Sequence, residues 1–305
     1  MSPQVFQRLS HLEQLLAALA QQSAVLVEVV KTEGSVPRGV GTWMAVFESE
    51  LTGTVGGGNV EHQTIALARE LLKAGIRTDA LTRRFALGPS LGQCCGGAMH
   101  LRFEVVSASN ALQLAQRLQP QLQPVALFGG GHVGHALVRV LSSLPFALRW
   151  VDSRDGVFPD QSAVFSAGPP QGKKRPLGGQ GATHCERAWG PNVICEHSDP
   201  VQSAVKDIAP YSAVLIMSFS HSEDLEVLAA CLIRQRTSAD LPYIGLIGSK
   251  TKWATFRSRL QARGFTPDEL AHVTSPIGVP GISGKEPAVI AVAVAAQLLQ
   301  LLGPD

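Results

Sequence analysis

Phe6–Ala20 carries leucines at helical spacing and predicts an amphipathic helix. Ala24–Val30 is a short run rich in valine and predicts a strand, and Thr42–Phe47 predicts another. Glycines then gather in Gly53–Asn59, and Val60–Ala74 reads as a helix behind them. Arg83–Leu87 and His100–Val106 predict two further strands, with the loop Gly88–Gly97 between them. Ser107–Gln123 reads as a connecting helix rich in Gln and Leu.

From Pro124 the pattern changes. Val125–Phe128 is an apolar run of the kind buried on both faces, and Ala147–Val151, Ala213–Ser218 and Tyr243–Ile247 predict further strands. Helical patterns separate and follow them: His132–Ser143, Ser222–Arg236, Lys250–Arg263 and Pro287–Leu302. Strands alternating with helices imply a parallel sheet with right-handed crossovers. Thr266-Pro267-Asp268-Glu269 has the form of a capping box. Gly168–Pro191 has no period and is expected as a long loop. The expected architecture is α/β: a small domain over 1–107, a connecting helix over 108–123, and a parallel-sheet domain over 124–305.

Composition narrows the function classes. Charged residues make up 16% of the chain and the net charge is +2, so no electrostatic footprint for nucleic acid or an anionic membrane is present. Ala288–Leu302 is interrupted by Gln297 and Gln300 and falls short of the roughly 20 residues of a bilayer span. It is expected as a buried helix or an oligomer face. The N-terminal stretch lacks the apolar run of a signal peptide, so a cytoplasmic location is expected. The five cysteines, Cys94, Cys95, Cys185, Cys195 and Cys231, are expected as reduced thiols, and no C-x-x-C pair suggests structural zinc.

Gly129-Gly130-Gly131-His132-Val133-Gly134 fits G-x-G-x-x-G. It follows a predicted strand, opens a helix, and precedes a strand ending at Asp152, which is the context of a Rossmann-type nucleotide loop. Gly129 permits the tight turn, Gly131 lets backbone approach a phosphate, and Gly134 lets helix and strand pack closely. Asp152 lies where a carboxylate meets ribose hydroxyls. A Rossmann scaffold with no nucleotide is the alternative, since fold does not imply function. No catalytic residue is assigned: neither Tyr211 nor Tyr243 is followed four positions later by lysine, and His132, His135 and His221 have no distinguishing setting.

Three glycine-rich segments mark the first domain: Gly34–Met44 with Pro37 and Arg38, Gly53–Glu61 with Gly56, Gly57 and Gly58, and Gly88–Gly97 with Cys94 and Cys95. Loops of this kind present backbone N–H groups to anions, and Arg38 adds a bidentate partner. Taken in order with the Gly129–Gly134 loop, Val151–Arg154, Phe219-Ser220-His221 with Asp224, Gly245–Lys250, Ser275–Gly278 and Lys285-Glu286-Pro287, the chain resembles the XdhC/CoxI family. Asn59 departs from the histidine expected in the xanthine-dehydrogenase branch.

The resemblance implies a non-enzymatic chaperone that binds molybdenum cofactor, protects it during sulfuration and delivers it to apo-xanthine dehydrogenase, with a cysteine desulfurase as second partner and a homodimer as assembly. It implies a cofactor site at Arg38, Gly56, Gly57, Gly58, Glu61 and Cys95, with Gly129, Gly131, Gly134 and Asp152 at the Rossmann loop, where a nucleotide is a second candidate ligand. A cysteine thiolate is a suitable soft ligand for molybdenum, and Cys95, followed by Gly96 and Gly97, is the first choice. The bland alternative is that Cys94 and Cys95 are small buried hydrophobes. Two rival functions remain: an NAD(P)-dependent oxidoreductase, and a regulator that responds to a nucleotide.

Overall fold

A computed structural model describes residues 4–74, 80–88, 96–158 and 184–302. The chain divides into two compact units, Gln7–Pro120 and, with the first six residues, Gln121–Asp305.

The first unit is built from α1 (Gln4–Leu19), β1 (Ala24–Glu33), β2 (Trp43–Val46), β3 (Leu51–Gly53), α2 (Gly58–Lys73), β4 (Leu81–Ala86), β5 (Ala98–Val106) and α3 (Ala111–Leu118). Its five strands form an antiparallel sheet in the order β3-β2-β1-β5-β4. Val25, Val27 and Val29 of β1 face one core together with Val60 and Ala68 of α2. Ala24 and Leu26 face the opposite core with Leu12, Leu15 and Leu19 of α1 and Leu114 and Leu118 of α3. Helices cover both faces, which explains why β1 opens on the apolar run Ala24–Val27 rather than on an alternating pattern. The helix expected as a connection, α3, packs into this unit through Leu114 and Leu118.

The second unit contains β6 (Gln123–Phe128), α4 (His132–Leu141), β7 (Phe146–Asp152), α5 (His184–Trp189), β8 (Val193–His197), β9 (Ala213–Ile216), α6 (His221–Ser238), β10 (Tyr243–Leu246), α7 (Lys250–Ala262), α8 (Pro267–Leu270), β11 (Val273–Thr274) and α9 (Pro287–Leu302). All six strands run parallel in the order β11-β10-β9-β6-β7-β8. Counted from β6, that is the 3-2-1-4-5-6 order of the doubly wound dinucleotide fold. One face of the sheet packs on α6 and α7 through Val227, Leu228, Phe256 and Leu260. The other packs on α4 and α9 through Leu137, Leu141, Val294 and Leu298. The expected capping box forms at α8, where Thr266 and Glu269 cap each other's backbone N–H.

The Gly168–Pro191 segment is described only from residue 184, and there it contains α5 rather than loop alone. No described helix is long and apolar enough to cross a membrane. In α9, Gln297 has a structural use: its side-chain oxygen accepts from the Tyr243 hydroxyl at 2.8 Å and from the Gly278 N–H at 2.7 Å. Burial pushes the Tyr243 phenol above its ordinary pKa, so it stays a donor. Gln297→Leu is expected to lower stability by about 2–4 kcal/mol, because two donors lose their acceptor. A urea midpoint equal to that of the parent protein would show the bonds to be dispensable.

Candidate functional site

In doubly wound sheets, ligands bind at the carboxyl ends of the strands where the strand order reverses. Here that point lies between β6 and β9. Gly129 follows β6 with φ 124°, a conformation open to glycine. Its N–H donates to Val151 O at 2.8 Å, and its carbonyl accepts from Trp150 Nε1 at 3.0 Å. A Cβ on Gly129 would stand 2.1 Å from Met217 O, and one on Gly134 would stand 2.1 Å from Gly129 O. The first and third glycines therefore let β6, β9 and α4 close on one another. Gly131 caps α4, and no described atom lies within 4 Å of where its Cβ would be. Backbone at Gly131 is thus open to an approaching group.

Asp152 ends β7 beside this loop, where its spacing from the fingerprint places it. It is only 2% exposed. One oxygen accepts from Gly130 N–H at 2.6 Å and from Arg154 Nη2 at 2.9 Å, and the other from the Arg154 N–H and Nε at 2.9 and 3.0 Å. Burial acts to raise the pKa of its carboxyl, but Arg154 and the Gly130 amide outweigh it and hold the group below the ordinary carboxylate range. Both oxygens are engaged within the protein. Arg154 in turn lies over the exposed ring of Phe219, 5.0 Å from its centroid. What faces outward beside the loop is a guanidinium and an aromatic ring.

A second polar group closes the ends of β9 and β10. Asp224, 1% exposed, accepts from Ser218 N–H at 2.7 Å, from Ser218 Oγ at 2.8 Å and from Lys252 Nζ at 2.5 Å. Lys252 also donates to Ile247 O at 2.9 Å. The lysine ties together the turns after β9 and β10. Asp224 belongs to the motif set of the sequence, whereas its partners Lys252 and Ser218 lie outside that set. The signal was a lysine three residues past the N-cap serine of α7, beside Phe256 and two turns from Leu260 in an otherwise polar helix.

In the first unit, the glycine segments meet. A Cβ on Gly56 would stand 2.8 Å from Pro37 Cγ and 3.4 Å from Arg38 Cγ. Gly97 N–H donates to Ser35 O at 3.1 Å. Gly56, Gly57 and Gly58 have φ of 133°, 77° and 67°. Glu61, on the first turn of α2, folds back on that loop: its Oε2 accepts from Gly57 N–H at 3.1 Å, from Val55 N–H at 3.0 Å and from the Thr54 hydroxyl. Thr54 Oγ1 accepts from Gly56 N–H at 3.1 Å. Glu61 and Thr54 thus hold the glycine loop in shape, while the Arg38 stem lies against it.

Arg38, Gly56, Gly57, Gly58 and Glu61 are therefore brought together in one unit, and Gly129, Gly131, Gly134 and Asp152 in the other. Cys94 and Cys95 lie outside the described residues. Among the described residues, no group of three His, Cys, Asp or Glu side chains is placed to hold a metal ion. The expectation of reduced thiols is corrected at one pair: Cys185 of α5 and Cys195 of β8 form a disulfide. Their separation of ten residues in sequence hid the pairing, because the apolar environment of Cys185 is created only when α5 packs beside β8.

A family model for the XdhC Rossmann domain matches residues 125–298, and a model for the XdhC and CoxI family matches residues 17–85. The chain belongs to the XdhC/CoxI family. Another relative is an uncharacterized protein, YqeB, of Escherichia coli strain K12, 25% identical over 293 residues. That match covers 93% of this chain but 45% of YqeB, so the chain spans less than half of its curated relative. A crystal structure described as a xanthine dehydrogenase from Bacillus halodurans superposes with a TM-score of 0.67 at 21% identity, covering 99% of this chain and 96% of the other. That likeness carries the fold. Membership of the XdhC/CoxI family supports an accessory role.

Proposed function

We propose that this protein carries molybdenum cofactor as cargo, shields it during sulfuration and hands it to apo-xanthine dehydrogenase. A cysteine desulfurase is the second partner, the working form is a cytoplasmic homodimer, and the protein itself catalyses no reaction. Membership of the XdhC/CoxI family is the observation that carries this reading. The chemistry of the first unit supports it. The cargo has an anionic phosphate at one end and a soft metal at the other. Arg38 lies against the Gly56–Gly58 loop, where its guanidinium is suited to a phosphate. Glu61 takes part by fixing that loop rather than by touching an anion, since like charges repel. Cys95 is assigned to the metal end.

The test is to purify the full chain from cells that make the cofactor and to assay molybdenum and pterin per protomer. Both are expected in the parent protein. Arg38→Ala is expected to weaken pterin retention by about ten- to a hundredfold, the loss of one charged hydrogen bond. Cys95→Ser is expected to lose molybdenum and keep its fold. A pure protein with neither pterin nor molybdenum would overturn the reading.

The strand order and the open backbone at Gly131 favour a second reading, an NAD(P)-dependent oxidoreductase. Steady turnover of NADH or NADPH with a panel of carbonyl substrates, abolished by Gly131→Asp, would favour it over the first.

A further inference from the structure

Cys185 is the second residue of α5, and Cys195 is the third of β8. Their Cα atoms are 5.7 Å apart, within the range that disulfides span. Helix α5 has six residues, too few to hold a helix by its own hydrogen bonds. Its docking therefore depends on what it touches. Cys185 is buried in the cluster of Leu148, Trp150 and Val193. Trp189 sets its ring against Trp150 at 5.7 Å and against His135 at 5.8 Å. That contact has a cost: among the described residues, the buried Trp189 indole N–H has no hydrogen-bond partner. The covalent tie to β8 adds to these contacts in holding the short helix.

Of the two rings under Trp189, that of Trp150 supports the glycine loop directly. Trp150 donates from Nε1 to Gly129 O at 3.0 Å. The His135 ring stands edge-on to Trp150 at 4.8 Å, and the backbone N–H of His135 donates to Gly131 O at 2.9 Å in the first turn of α4. Burial lowers the His135 pKa, so the ring packs as a neutral group. A continuous set of contacts thus runs from the sulfur pair through Trp189 to the loop that follows β6.

We propose that Cys185 and Cys195 are a reversible thiol–disulfide site that sets the packing beneath the Gly129–Gly134 loop. The proposal does not rest on the identity of any cargo. In the reducing direction, an external thiolate attacks Sγ of the half-buried Cys195, the S–S bond breaks, and Cys185 leaves and takes up a proton. A second external thiol resolves the mixed disulfide. Two external thiols become one disulfide, and the protein gains two thiols. The oxidising direction is the reverse, with a low-molecular-weight disulfide as oxidant. Cys231 stays out of this exchange, because it is fully buried and burial pushes its thiol up to about 12.

The full chain is equilibrated across glutathione buffers of graded ratio, trapped by alkylation, mapped by peptide mass, and followed by amide hydrogen exchange. A 185–195 bridge is expected to open and close across the series. Opening is expected to speed exchange in α5 by about tenfold or more and to speed it measurably in Gly131–His135. Cys195→Ser should match the open form at every ratio. Trp189→Ala should remove the response of Gly131–His135 while the bridge still cycles. The proposal is overturned if Cys185 and Cys195 are alkylated at every ratio, if the bridge stays closed in excess dithiol, or if either cysteine pairs instead with Cys94 or Cys95. It is also overturned if the bridge cycles with no change in the exchange of Gly131–His135, or if Trp189→Ala leaves that response intact.

Discussion

Gly129→Ala is expected to destroy the native packing of the second unit, with a loss of about 4 kcal/mol or more. Two effects add. Position 129 sits at φ 124°, where a side chain is strained. The added methyl would also stand 2.1 Å from Met217 O and 2.5 Å from its carbonyl carbon, and backbone cannot swing aside as a side chain can. Moving Met217 would disturb its N–H bond to Phe128 O, which joins β6 to β9. Circular dichroism and a urea titration of the purified variant measure the effect. A variant within about 1 kcal/mol of the parent would show that the loop relaxes freely, contrary to the packing described. Gly131→Ala is the control: it meets no described atom within 4 Å and is expected to be tolerated.

The second large effect is expected at Lys252. Lys252→Met leaves the Asp224 carboxylate, 1% exposed, without its cation, and removing one partner of a buried pair costs about 3–5 kcal/mol. Asp224→Asn on the Lys252→Met background should recover most of that loss. The amide oxygen can still accept from Ser218, and no charge is left buried. The double-mutant cycle reads the coupling directly. If the two losses simply add, the pair is not a coupled unit.

How much of this was legible beforehand depends on the range of the forces involved. The Gly129–Gly134 loop and the place of Asp152 follow from local backbone needs, and both stand where the fingerprint puts them. The capping box at Thr266 is equally local. What escaped was made by tertiary contact. β8 carries Cys195 and Glu196 in an edge position with an exposed Ile194, so it shows neither alternation nor an apolar run. β11 has only two residues and borrows its conformation from β10. The carboxylate of Glu61 looked available to a ligand, yet it bonds to amides four and six residues back. Asp152 looked like a ribose acceptor, yet Arg154, two residues on, fills it. Sequence reports which polar groups exist, and only the folded chain reports which of them are already satisfied.

Gln297 has one more consequence. The apolar residues of α9 surround the helix almost completely, and Val292, Leu299 and Leu301 remain exposed. A cylinder so uniformly greasy has several rotational and sliding settings that bury similar area. A turn about the axis by one residue would exchange one alanine or valine for another. Only the setting that brings the amide oxygen of Gln297 to both Tyr243 and Gly278 satisfies all three polar groups. The glutamine acts as an indexing pin: it decides which of many near-equal seats the helix occupies.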